Sequence, residues 1–79
     1  MELRITRHTG DDPNAAYYTV ASPNGRTLYQ TPDPIDAALW AAAVDPDRIE
    51  IRWDPYIVIC DPDIVVPAVA VLVEVTELA

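Results

Sequence analysis

Seventy-nine residues, about half of them hydrophobic, set the size of one small domain (1–79) with enough apolar material for a core, which excludes a disordered chain. Thirteen carboxylates against five arginines, no lysine and one histidine give a net charge of −8, and direct nucleic-acid binding, which asks for a basic patch, is not expected. A single cysteine excludes an internal disulfide framework and fits a reducing, cytoplasmic setting, and MELRITRH lacks the apolar stretch of a signal peptide.

In chain order, Leu3, Ile5 and Arg7 alternate with Arg4, Thr6 and His8, the period of a strand. Gly10-Asp11-Asp12-Pro13-Asn14 is a cluster of turn residues. Tyr17–Ser22 reads as a second strand and Arg26–Gln30 as a third. Between them, Pro23-Asn24-Gly25 marks a hairpin, where Asn-Gly supplies positive φ angles. Thr31-Pro32-Asp33-Pro34 then ends the sheet. Asp33 suits a helix N-cap, Pro34 the first helical position, and Asp36 the first turn, where the helix dipole favours negative charge. The helix is expected from Pro34 to about Val44, ending at Asp45-Pro46-Asp47.

Arg48–Trp53 alternates strictly and predicts a half-buried strand. Asp54-Pro55 interrupts it, and Tyr56–Cys60 forms another, ended by Asp61-Pro62-Asp63. If Asp54-Pro55 is a reversal, these two strands pair as an antiparallel hairpin; the alternative is one kinked strand. The closing stretch, Ile64–Val75, is apolar at nearly every position and rich in Val. That composition predicts a strand covered on both faces, with Pro67 bending it or marking where pairing begins. It is too short for a helical membrane span, which needs about 20 apolar residues. The expected fold is α+β, in the order β-β-β-α-β-β-β: a largely antiparallel sheet with one helix packed on a face.

Motifs for chemistry are sparse. There is no Gly-rich phosphate loop, no nucleophile elbow and no His-Glu-x-x-His. Cys60 ends an apolar strand and fits a small buried hydrophobe better than a nucleophile. His8 is the only imidazole, and nothing in the spacing pairs it with Cys60. Ser22 precedes Pro-Asn-Gly and reads as turn chemistry. Asp45-Pro46-Asp47 and Asp61-Pro62-Asp63 are identical tripeptides that a 48–60 hairpin would bring to one end of the sheet. Four carboxylates there would suit a hard cation such as Ca²⁺ or Mg²⁺. Asp-Pro punctuation of element ends is the simpler account, so no metal or cofactor is expected.

The 34–44 helix is the informative oddity. Ile35, Ala38, Leu39 and Ala42 fall on one face, and Ala37, Trp40, Ala41 and Val44 on the opposite one. After Asp36 it has no polar side chain before Asp45. A helix apolar all round is usually buried, and Trp is a favoured interface anchor. The expected function is a non-enzymatic acidic protein–protein interaction module with contact residues Ala37, Trp40, Val44, Asp45, Asp47, Asp61 and Asp63. Its sharpest form is an inhibitor that occupies a basic site on a nucleic-acid-handling protein, as phage-encoded inhibitors and DNA mimics do. Two alternatives stand beside it. One is a homo-oligomeric structural or accessory protein of a virion or larger complex, starting from a homodimer. The other is a small enzyme using Cys60 or a carboxylate-bound metal.

Overall fold

The computed structural model describes residues 2–10, 15–44 and 47–77. Five strands and two helices follow in the order β1 (Leu3–His8), β2 (Tyr17–Ala21), β3 (Thr27–Thr31), α1 (Pro34–Val44), β4 (Ile49–Trp53), β5 (Tyr56–Cys60) and α2 (Val65–Glu77). A 3₁₀ turn, Pro62–Ile64, leads into α2. The strands form one mixed sheet ordered β3-β2-β1-β4-β5. β1 lies parallel to β4, and the other pairs are antiparallel. The fold is therefore α+β as expected, with one parallel pair at the centre.

Two hairpins hold the sheet's flanks. At the first, Gly25 N–H donates to the Ser22 carbonyl (2.9 Å) and Ser22 N–H to the Arg26 carbonyl (2.9 Å). Among the described residues Gly25 alone takes a positive φ, +90°; Asn24 does not. Pro23 thus opens an ordinary turn and Gly25 supplies the left-handed residue after it, where any Cβ would strain the backbone. Asn24 acts instead through its side chain, whose Oδ1 accepts from Arg26 N–H (3.1 Å) and from the Ser22 hydroxyl. At the second, Asp54-Pro55 is the reversal between β4 and β5, with Trp53 opposite Tyr56 and Ile49 opposite Cys60. The hairpin alternative for 48–60 is the one adopted.

The largest correction is at the C-terminus. Ile64–Val75 is no sixth strand; it forms the 3₁₀ turn and α2. Val favours strands locally, but the run hardly alternates apolar with polar, and it is longer than a typical strand. Pro67 sits in the first turn of α2, where its missing N–H has no intrahelical acceptor to lose. Val65, Val69 and Leu72 recur at helical spacing and are buried.

Both helices cover the same face of the sheet, so two helices, rather than one, supply the layer. Asp33 starts α1 as expected: its Oδ1 accepts from Ile35 N–H (3.0 Å) and its carbonyl from Ala37 N–H (3.1 Å). The sheet-facing side of α1 is the line of alanines Ala37, Ala38 and Ala41, all fully buried. Neither predicted grouping of its residues holds, because small side chains let this helix approach the strands closely while Leu39 points outward, 55 % exposed. The core beneath is Leu3, Ile5, Val20, Ile49 and Ile51 from the sheet, with Val65 and Val69 from α2. The Trp53 indole N–H donates to Thr76 Oγ1 (2.8 Å), and that hydroxyl donates to the Leu72 carbonyl (2.7 Å), so the far end of α2 is tied to β4.

Candidate interaction surface

The layered arrangement leaves one sheet face bare. Register puts Arg4, Thr6 and His8 of β1 on it, beside Tyr17 and Thr19 of β2, Glu50 and Arg52 of β4, and Ile57 and Ile59 of β5. Its polar side chains largely satisfy one another. The Arg4 and Arg52 guanidiniums both donate through Nε to Glu50 Oε2, at 2.6 and 2.8 Å. The Arg52 hydrogen bond, then that of Arg4, holds the Glu50 carboxyl below its usual range against an opposing effect of burial. His8 Nε2 lies 2.9 Å from Thr19 Oγ1, and its ring stacks on Tyr17 at 4.7 Å.

β5 is the sheet's outer strand on one side, and apolar surface concentrates there. Ile57 and Ile59 are 66 % and 60 % exposed on the bare face, and Tyr56 is exposed on the other. α1 contacts β1, β2 and β3, whereas α2 contacts β4 and lies alongside α1. One flank of α2 therefore faces α1 and the other faces the β5 side. At about 100° per residue, Val66 and Val73, both half-buried, mark the α1 flank. Exposed Val71 and Val75, with Ile64 leading in, mark the β5 flank. Of the ten large hydrophobic side chains exposed among the described residues, six (Tyr56, Ile57, Ile59, Ile64, Val71 and Val75) belong to this one edge. No charged side chain interrupts Pro55–Cys60. Natural edge strands usually carry charges, Pro or bulges that block pairing; β5 carries none within its five residues.

The residues singled out from sequence fall in three places. Ala37 is fully buried and offers no surface. Trp40 is half-buried on the opposite side of the molecule, its ring stacked on Tyr29 of β3 at 5.1 Å and 1° interplanar angle. The Tyr29 hydroxyl donates to Asp36 Oδ2 (2.6 Å), which fixes that pair, and this hydrogen bond to Asp36 raises the phenol's pKa. Val44 is exposed at the end of α1. Asp47, Asp61 and Asp63 are exposed, and the Ile49–Cys60 pairing puts residues 47 and 61 at the same end of the sheet. Asp45 lies outside the described residues. Among the described residues no group of three or more His, Cys, Asp or Glu is placed to hold a metal ion.

Two further features bear on chemistry. Cys60 is buried among core side chains, with Sγ 3.9 Å from the Ile49 carbonyl. Burial first, then Asp61 and Asp63, push its thiol pKa up, the reverse of what a nucleophile needs. It also faces the helices while His8 lies on the bare face, so the two form no pair. Second, a cleft of about 240 Å³ opens beside the Asp54-Pro55 turn, between Arg7, Arg52, Trp53 and Tyr56. Arg7 lies over the Trp53 ring, 5.2 Å from its centroid. The cleft is smaller than the roughly 300–1,000 Å³ usual for small-molecule sites. No helix among the described residues is long and apolar enough to cross a membrane.

No protein-family model, curated protein or solved structure matches this chain.

Proposed function

We propose that this chain is a non-enzymatic protein–protein interaction module that engages its partner through the β5 edge and the outer flank of α2. The observation that carries it is the concentration of exposed Ile, Val and Tyr on one unguarded sheet edge. Exposed apolar patches of this kind mark interaction sites, and an unpaired strand edge is a template for a further strand. The high-pKa, buried Cys60 and its separation from His8 support a role without nucleophilic catalysis. The helix surface around Trp40 supports it less, because Trp40 is spent on stacking with Tyr29.

A second form of the same function keeps the acidic-inhibitor expectation. Asp61 and Asp63 follow directly on β5, so a basic partner would meet carboxylates at the rim of the apolar edge. Photo-crosslinking groups placed at position 59 or 71, and at Leu39 on α1 as a control, test the proposal in the native host. Discrete protein adducts at 59 and 71 but not at 39 are expected. Adducts at 39 alone, or at none of the three, would overturn it.

A further inference from the structure

We infer that the partner seated on this edge is a second copy of the chain, joined through β5 in antiparallel register about Val58. The inference rests on the edge being an interaction surface. Its first support is the hydrogen-bond phase of β5. Trp53 and Tyr56 close a two-residue turn as a bonded pair, and bonded pairs recur every second residue. Tyr56, Val58 and Cys60 therefore bond inward to β4, while Ile57 and Ile59 present N–H and C=O outward. A two-fold axis through Val58 sets Ile57 opposite Ile59 of the second copy, and the reverse. Every outward group then has a partner.

Neighbouring registers fit worse. A shift of two residues one way sets Ile59 against Pro55, which has no N–H to give. The opposite shift sets Ile57 against the Asp61 carboxylate. In the centred register no charged side chain lies within the strand pair, so two chains of net charge −8 meet without opposed carboxylates along the ladder. The four isoleucines, two from each copy, cluster on the bare face.

The helices add the second support. A two-fold axis perpendicular to the sheet keeps both α2 helices on one face and runs them antiparallel, outer flank toward outer flank. α2 lies over β4, so across the strand pair the two helices stand about 14 Å apart, wider than packed helices, and Ile64, Val71 and Val75 of each copy face a trough floored by Tyr56 and Val58 of both β5 strands. A stable interface needs about 1,200 Å² or more in total, more than a five-residue strand pair supplies, and the apolar trough extends the contact. The symmetry closes on itself, so the unguarded edge is used once and is no longer open to further chains.

Sedimentation velocity on the full chain, over micromolar concentrations and a range of salt, tests this. The expected species has twice the 8.7 kDa chain mass, and its association tightens as salt screens the like net charges. Ile57→Glu and Ile59→Pro should sediment as single chains while keeping the parent's circular dichroism. Pro is tolerated on an outer strand where its N–H would face solvent. If Ile59→Pro fails to fold, Ile57→Glu, whose side chain is exposed, decides alone. A single chain at every concentration, a dimer unaffected by Ile57→Glu, or an association that weakens with salt would overturn the second copy as partner. The edge as an interaction surface fails separately, only when positions 59 and 71 yield no crosslinked protein.

Discussion

Cys60 shows how one residue's surroundings decide its chemistry. The thiolate is the reactive form, and burial beside Asp61 and Asp63 disfavours it. Native protein is therefore expected to react with a thiol reagent far more slowly than unfolded protein; rapid stoichiometric labelling of the folded chain would return Cys60 to consideration as a nucleophile. Glu50 shows the opposite shift. Its folded pKa lies below the ordinary glutamate value because Arg52 and Arg4 donate to it. Its contribution to stability is complete above the ordinary glutamate range and is lost as pH falls through the lower, folded value. Partial exposure keeps that contribution to about 0.2–1 kcal/mol, as for surface pairs. Glu50→Gln should lower the melting temperature slightly near neutral pH, with the difference vanishing in acid. A difference that stays constant across the acid range would contradict the ion-pair account.

Among the elements, α2 carries the clearest lesson. Val favours strands, and six of its residues between 65 and 75, four of them at every second position from Val69 to Val75, outweighed a helical signal that was present: Val65, Val69 and Leu72 repeat at 3.6. Helix propensity differs little between Val and its neighbours, so the buried line against β4 and α1 decided the outcome. The hairpins and the Asp33-capped α1 were legible because their signals are local: a Pro-Asn-Gly turn, an Asp-Pro reversal, a capping carboxylate. The β1–β4 parallel pairing joins residues some 46 apart in sequence and left no local mark. The β5 edge was equally hidden, since YIVIC reads as a core strand until its place at the end of the sheet is known. The helical assignment has its own test. In the single-chain Ile57→Glu background, Leu72→Ala should cost about 2–4 kcal/mol in denaturant unfolding, whereas Val71→Ala, 57 % exposed in one chain, should stay within about 0.5 kcal/mol. Equal costs at the two positions would contradict the helix face described.

For the whole molecule, two helices on one face of five strands leave β5 and the flank of α2 as apolar surface that a single chain does not cover. Pairing through that surface makes a specific demand on the backbone of β5. Tyr56, Val58 and Cys60 bond to β4 within one chain, so their amides are protected whether or not a partner is present. Ile57 and Ile59 are protected only when another strand lies outside them. Residue-resolved amide hydrogen exchange, on the parent chain at high concentration and on Ile57→Glu, reads this directly. Slow exchange is expected at all five β5 amides in the parent and, in the variant, fast exchange at positions 57 and 59 alone. Fast exchange at Ile57 and Ile59 in the parent, under conditions where it is associated, would contradict it.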